Sequence, residues 1–564
     1  SVLVLFPRER FNAEVRQTIQ ELLVTAFGGT SIEYRLALTD EPLARLHFYL
    51  ETPASASRPP IPELESRIGA ITRTWEERVR SILLEAHEAG RGTFLADHFA
   101  AAFPGSYRAQ ESAESAASDC ELLDEARRAN APKVRLRPGA LPGDDESRSV
   151  TAIRIVRPGE SFSLSRLMPT LTHLGLEVLN ESTYPIQNAI SPTLWLHVFH
   201  VLGPDGEPID RGERSRNVEQ TILAVLEGRT TDDALNGLVA LAGLAYRDVE
   251  LLRTYTAYLR QLEPAIQERT AYTTLLRYPQ AARALVDLFS ARFDPDRSPQ
   301  ERERDQANAR EALELALESV SGIQEDGILR DLLGLVLATV RTNWAQRAED
   351  GSLPPAISIK VRCEDVPRMP LPRPRFEIFV SSPDLEGIHL RSGLVARGGI
   401  RFSDRVDDFR REVLGLMKAQ RTKNALIVPV GAKGGFILRP GRPERDLPEP
   451  GKYAYEIFIH SLLDVTDNIV RDPTTGAKHV VHPDRTVLYD DDDPYLVVAA
   501  DKGTAQFSDL ANAIAVSRSF WLGDAFASGG STGYNHKEKG ITARGAWECV
   551  KRHFLAIGMD LRKD

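Results

Sequence analysis

The spacing of apolar and polar residues changes period several times along the chain, and each change marks an element. Residues 2–6 form a short apolar run, 11–27 repeat apolar positions at helical spacing, and 31–38 and 44–51 alternate as half-buried strands do. The order strand, helix, strand, strand returns later, with 150–156 as strand, 163–174 as helix, and 175–181 and 193–202 as strands. Between these units the pattern predicts helices near 62–90 and 93–103, then a low-complexity stretch rich in Ala, Ser and Glu at 109–117. A basic Pro/Gly segment at 133–143 reads as an exposed connection.

From 218 to 344 the apolar residues recur at three- and four-residue spacing, which predicts a helical scaffold, with the charges of 298–310 on a solvated face. The proline-rich stretch 354–374 marks a boundary. Beyond it, 357–361, 376–380 and 387–395 read as strands, 408–422 as a helix and 425–430 as another strand, an alternation that favours an α/β catalytic domain. The fold class expected is therefore multidomain α/β and α+β. The division expected is a βαββ module at 1–60, a helical segment and linker at 61–145, a second βαββ module at 146–212, a helical scaffold at 213–350 and an α/β domain at 351–564. By element order the two βαββ units resemble ACT-like regulatory modules.

Composition narrows the class. A chain of 564 residues, 42% hydrophobic and 27% charged, has the make-up of a soluble globular protein of several domains, and a net charge of −10 argues against a nucleic-acid binder. Cys120, Cys363 and Cys549 lie far apart with no CxxC pair, which argues against a disulfide framework or zinc ribbon and for a reducing compartment. No apolar run reaches the roughly 18 to 20 residues that span a bilayer, so a cytoplasmic location and no membrane association are expected. The opening SVLVLFPRER is too quickly charged for a signal peptide and has no initiator Met, which reads as an excised piece of a larger polypeptide.

Candidate chemistry concentrates at 396–440, ARGGIRFSDRVDDFRREVLGLMKAQRTKNALIVPVGAKGGFILRP. Lys423 and Lys433 stand in a glycine-flanked apolar context with arginines upstream, which suits an acidic substrate, since cations attract it and missing side chains let backbone and ligand approach. Lys423 precedes the 425–430 run and Lys433 follows it, so both ammonium groups are expected to face one pocket. A cation crowded by other cations with little water sheds its proton more readily, the state that acid/base and carbonyl chemistry use. Taken singly, Lys433 reads as a surface lysine in a Gly-rich turn and Asp501 as a helix N-cap ahead of 503–516. Arg401 and Arg405 are expected as ion-pair partners or field-shaping charges. The aspartates at 490–493 are read as a solvated turn beside Pro494 in preference to a hard-cation site, and no metal is expected. His482 and His536 have no partner at metal-ligand spacing and stay unassigned.

Four blocks follow one another within about 110 residues: Arg397-Gly398-Gly399-Ile400-Arg401-Phe402, Gln420-x-x-Lys423-Asn424-Ala425, Pro429-x-Gly431-Ala432-Lys433-Gly434-Gly435, and Ala499-Ala500-Asp501-Lys502-Gly503-Thr504. Together they resemble the substrate domain of glutamate dehydrogenases. The further blocks YDDDDPYLVV at 489–498 and GITARGAWE at 540–548 resemble the large NAD-specific class, which carries a long N-terminal extension with ACT-like modules.

By this resemblance Lys433 matches the catalytic lysine that polarises the carbonyl or imine carbon and helps activate water. Asp501 matches the catalytic carboxylate that moves protons to and from the substrate nitrogen, a need set by chemistry, since hydride leaves Cα only when the amine is neutral. Lys423 and Gln420 match residues that hold the α-carboxylate. Arg397 stands where the small glutamate dehydrogenases have a lysine contacting the side-chain carboxylate, so charge is kept while a guanidinium fork replaces a point charge. Thr542 resembles a residue near the nicotinamide.

The implied activity is NAD-dependent oxidative deamination of L-glutamate to 2-oxoglutarate and ammonium, with NAD as cofactor and a homo-oligomeric state. No Gly-x-Gly-x-x-Gly fingerprint occurs in the sequence, so the chain is expected to stop short of its dinucleotide domain and to be inactive alone. The alternatives are an amino-acid dehydrogenase of different specificity, against which the cation Arg397 counts, and a non-catalytic amino-acid-binding regulatory polypeptide, against which Lys433 and Asp501 count.

Overall fold

The structure, a computed structural model, describes residues 1–38, 42–53, 59–141, 149–209, 212–423, 428–440, 449–531 and 539–561, without the side chains of Ala89, Lys423 and Thr542. It separates into two compact units, one of residues 1–167 and 177–209, the other of 168–176 and 210–564.

In the first unit β1 (Val2–Pro7), α1 (Ala13–Phe27), β2 (Ser31–Leu38) and β3 (Leu43–Glu51) build an antiparallel sheet of order β1-β3-β2. Asn12 caps α1 by accepting the Val15 N–H at 2.7 Å, and Gly28 ends it at φ 59°, a left-handed value that glycine takes without a Cβ clash. Alternate strand residues Val4, Phe6, Leu46 and Phe48 bury against Ile19, Leu22 and Leu23, so a period-2 stripe meets a period-3.6 stripe.

The helices α2 (Ile61–Ile71), α3 (Trp75–Ala86), α4 (Ala89–Phe99), α5 (Gly105–Gln110) and α6 (Ala113–Ala129) come next. They are followed by β4 (Lys133–Ala140), β5 (Ser149–Pro158), α7 (Leu164–His173), β6 (Glu177–Ile186) and β7 (Leu194–Leu202), whose strands form a sheet of order β4-β5-β7-β6. The basic segment expected as an exposed connection is thus a strand over Lys133–Ala140, paired along its length with β5. Its charges suggested solvent, but Arg135 and Arg137 reach Glu125 and Asp119 of α6 at 2.9 and 2.6 Å. The Ala/Ser/Glu-rich stretch likewise enters α6, where Ala113, Ala116 and Ala117 join the buried core.

The second unit opens with α8 (Glu213–Leu226), α9 (Gly237–Ala242), α10 (Tyr246–Leu262), α11 (Glu268–Arg277), α12 (Pro279–Phe293), α13 (Pro299–Glu318) and α14 (Ile323–Ala338). The helical pattern expected through residue 344 ends earlier, because β8 (Thr339–Thr342) already belongs to a sheet. After it come β9 (Ile357–Arg362), β10 (Phe376–Ser381), β11 (Leu385–Arg391), β12 (Ala396–Phe402), α15 (Phe409–Lys423), β13 (Val430–Leu438) and α16 (Pro450–Leu463). The order continues with β14 (Asn468–Arg471), β15 (Lys478–Val481), β16 (Val497–Ala500), α17 (Ser508–Ser517), β17 (Ala527–Ser528) and α18 (Ile541–Ala556). Eight strands join in the order β17-β16-β12-β13-β11-β10-β9-β8, parallel from β17 to β13 and antiparallel from β13 to β8.

On one face Ile378, Ile400, Phe436 and Val498 pack against Phe458, Leu462 and Ala511 of α16 and α17. On the other, Glu377 of β10 is buried with Arg410 of α15 at 3.1 Å and accepts the Tyr258 hydroxyl of α10 at 2.7 Å. The strand expected at 425–430 lies further on, at Val430–Leu438, with 424–427 outside the described residues.

The aspartates at 490–493 also depart from expectation. Asp490 accepts from Arg341 and Lys360, each at 2.5 Å, and Asp493 accepts from Lys360 at 2.7 Å and Arg391 at 2.8 Å. Asp493 is 2% exposed, so Asp490 and Asp493 form a buried ionic clamp on β8, β9 and β11, while Asp491 and Asp492 are exposed, as a solvated turn requires. Burial alone would raise the Asp493 carboxyl, but Arg391 and Lys360 override it and hold it down to about 2.

Candidate active site

The parallel half of the large sheet positions the charged groups. Arg397 of β12 is in register with Gly431 of β13 and Val497 of β16, and Ile400 with Gly434 and Ala500. Strand alternation therefore puts Arg397, Gly399 and Arg401 on one face with Gly431, Lys433 and Gly435, while Ile400 and Phe436 turn to the α16 and α17 core. On that face Arg397 stands near the amino end of β12 and Lys433 within β13, while Asp501 directly follows the carboxyl end of β16, the end at which open α/β sheets hold ligands.

Two glycines make the face possible. A Cβ on Gly398 would fall 1.6 Å from the Ala432 carbonyl oxygen, so no side chain fits between β12 and β13 there. A Cβ on Gly399 would lie 3.1 Å from Asp501 Cβ and 3.2 Å from Lys433 Nζ, so glycine keeps the space over that pair clear.

Lys433 lies inside β13, with its side chain 7% exposed and its Nζ donating to Asp501 Oδ2. The lysine expected in a Gly-rich turn is thus a strand residue, because the glycines around it serve packing: positions 431 and 435 face Gln420 and Val413 of α15. Its near neighbour is a carboxylate, where other cations were expected. Asp501 follows β16 directly and does not cap a helix, since α17 starts at Ser508. Its turn is fastened to β12 through Thr504, whose hydroxyl accepts the Asp501 N–H at 3.1 Å and donates to the Ile400 carbonyl at 2.7 Å.

Asp501 has a second cationic partner. Arg401 donates from Nε to Oδ2 at 3.2 Å and from Nη2 to Oδ1 at 3.5 Å, while its Nη1 donates to Glu412 Oε1 of α15 at 2.8 Å. Ser403 donates to the other Glu412 oxygen at 2.6 Å. Burial would raise the Asp501 carboxyl, but the hydrogen bonds from Lys433 and Arg401 outweigh it and hold the group below the ordinary carboxylate range. Glu412 is lowered in the same way, burial being overcome by Ser403 and Arg401. The arrangement gathers a carboxylate, an ammonium and a guanidinium, each largely buried, on one face of the sheet, a set able to exchange a proton and polarise a carbonyl.

The remaining expected residues divide. Arg397 is exposed and has no ion-pair partner among the described residues, and Gln420 packs over Gly431, the register neighbour of Arg397, with its buried Oε1 unpaired among the described residues. Lys423 ends α15, but its side chain lies outside the described residues, as does that of Thr542 on α18. Whether Lys423 and Lys433 share a pocket therefore falls outside them too. Glu412 and Ser403 were not singled out from the sequence; the Arg397, Gly399, Arg401 alternation was the one signal that Arg401 shares the site's face. Of the two unassigned histidines, His482 donates from Nδ1 to the Asp467 carboxylate at 2.9 Å, and His536 is outside the described residues.

Family comparisons follow the same order along the chain. Residues 312–564 match the model described as bacterial NAD-glutamate dehydrogenase, catalytic domain. Residues 1–76 and 140–214 match the glutamate dehydrogenase ACT2 and ACT3 domains, and 82–126 and 230–295 its helical motifs 2 and 3. Curated relatives named NAD-specific glutamate dehydrogenase include those of Halomonas elongata, 39% identical over 100% of this chain and 34% of the relative, and Mycobacterium tuberculosis, 40% identical over 99% and 35%. That of Pseudomonas aeruginosa is 38% identical over 100% of this chain and 34% of the relative. The chain thus spans about a third of the length of the curated relatives it matches.

Proposed function

This chain belongs to the NAD-specific glutamate dehydrogenase family, and from that premise we propose that the whole protein oxidises L-glutamate with NAD⁺ and water to 2-oxoglutarate, ammonium, NADH and a proton. The observation that carries the reading is the contact of Lys433 with Asp501 on the face cleared by Gly399. Asp501, held as a carboxylate, takes the proton that the substrate ammonium must lose before hydride can leave Cα. Lys433, turned from Asp501 to the substrate, polarises the carbonyl or imine and orders the attacking water. Bound NAD⁺ supplies the hydride acceptor. The sequence contains no Gly-x-Gly-x-x-Gly turn to cradle a pyrophosphate, so these residues are assigned to the substrate half of the reaction, with Thr542 alone proposed near the nicotinamide.

The dicarboxylate follows from spacing. Arg397 stands two residues before Gly399 on β12, about 6.6 Å along an extended strand, which suits a distal carboxylate when Cα sits over Gly399. Gln420 and Lys423 at the end of α15 would hold the α-carboxylate. An apolar side chain would leave Arg397 without a counter-charge, which disfavours the reading as a dehydrogenase of another specificity. In the same reading 1–60 and 146–212 are ACT-like modules, 61–145 and 213–350 are helical, and 351–564 is the substrate domain. A cytoplasmic, homo-oligomeric enzyme belongs to it as well; no described helix is long and apolar enough to cross a membrane. The test is NADH formation from L-glutamate by the whole protein, with L-norvaline as comparison. Preference for glutamate supports the reading, and preference for norvaline overturns it.

A further inference from the structure

A base that already accepts two cationic hydrogen bonds is a poor proton acceptor, because each donor stabilises its charged form. Asp501 is such a group, with Lys433 on one side, Arg401 on the other and the Lys502 backbone N–H as a further donor. If Lys433 turns to the substrate, Asp501 gains basicity but also loses the contact that fixes its Oδ2 oxygen. Arg401 is then the remaining side-chain hydrogen-bond partner of Asp501 among the described residues. Arg401 is itself held, since Glu412 takes its Nη1 at 2.8 Å and Ser403 anchors Glu412 at 2.6 Å. The Arg401 side chain is 19% and the Glu412 side chain 15% exposed, so water competes weakly for these bonds.

We propose that Arg401 is a positioning residue, anchored by Glu412 and Ser403, that fixes the Asp501 carboxylate when Lys433 engages substrate. It rests on the assignment of Asp501 to proton transfer. The arrangement divides two tasks between two cations. Lys433 alternates between carboxylate and substrate, while Arg401 stays with the carboxylate. Its planar fork meets both Asp501 oxygens, a geometry that a single ammonium does not reproduce. Glu412 and Ser403 stand far from the substrate groups in role, but they decide where the fork points.

The experiment is the pH profile of kcat in the whole protein for Arg401→Gln, Arg401→Lys and Asp501→Asn. In Arg401→Gln a donor to the carboxylate is gone, so the acid limb of kcat moves to higher pH and the plateau falls about tenfold or more, the scale of a lost charged hydrogen bond, with KM for glutamate nearly unchanged. Arg401→Lys keeps the charge and returns the limb toward the wild-type position without restoring the plateau. An unmoved acid limb in Arg401→Gln overturns the proposal, whatever happens to the plateau, because a merely structural loss lowers rate without moving the limb. Should Arg401→Gln fail to fold, Glu412→Gln keeps the guanidinium and releases its anchor. It should lower kcat several-fold at constant KM, and an unchanged kcat overturns the proposal equally. Undiminished turnover in Asp501→Asn instead overturns the assignment of Asp501 on which the inference stands.

Discussion

At the Lys433–Asp501 contact each residue limits what the other can do, and substitution separates their parts. Lys433→Ala deletes the cation beside the reacting carbon, so turnover with glutamate should fall by at least about 10²-fold, the usual size of a lost acid/base or electrostatic contribution. KM should change less, because Arg397, Gln420 and Lys423 are assigned to the carboxylates. Steady-state NADH formation checks this, and turnover within about threefold of wild type would remove Lys433 from the chemistry. Arg397 is a specificity residue in the same account. Truncated to alanine it loses a charge-assisted contact of roughly 1.5 to 3 kcal/mol, so the glutamate-to-norvaline ratio of kcat/KM should drop about tenfold or more. An unaltered ratio would assign Arg397 to structure.

At the scale of elements, periodicity carried far where one face of a strand or helix is buried. Residues 2–51 and 149–202 read correctly as strands and helices because their buried stripes repeat at two or at three to four residues. It failed where glycine or charge had a tertiary purpose. The Gly431–Gly435 block looked like a turn, yet it is strand β13, its small residues required by Gln420, Val413 and the close approach of Gly398. Asp490 and Asp493 looked solvated because their partners Arg341, Lys360 and Arg391 lie 102 to 149 residues away. The Arg401–Asp501 pair, 100 residues apart, was hidden for the same reason. The clamp makes a stability prediction. Asp493→Asn leaves Lys360 and Arg391 short of a buried counter-charge, a loss of about 3–5 kcal/mol, so its urea midpoint at pH 7 should lie well below wild type. The Asp493 carboxyl titrates at about 2 in the folded protein, against roughly 3.9 in an unfolded chain. Its contribution is therefore full above roughly pH 4 and lost as pH falls toward 2, so the gap between the two midpoints should narrow between pH 7 and pH 3. Equal midpoints at pH 7 would contradict the clamp's role.

For the whole molecule, ACT-type and helical-motif regions precede a catalytic-domain region in one chain, and every described group of the candidate site lies in the unit of residues 210–564. That organisation fits a regulated dehydrogenase, and it would equally suit a polypeptide that binds amino acids without turning them over. The central claim is that Asp501 works as the proton acceptor of glutamate oxidation, and Asp501→Asn separates the two because the amide keeps the shape of the side chain while removing the base. In the whole protein the measurement is NADH formation from glutamate by this variant, beside calorimetric titration with 2-oxoglutarate. The account predicts turnover reduced by about 10²-fold or more with 2-oxoglutarate still bound. Undiminished NADH formation beside unchanged 2-oxoglutarate affinity would contradict it.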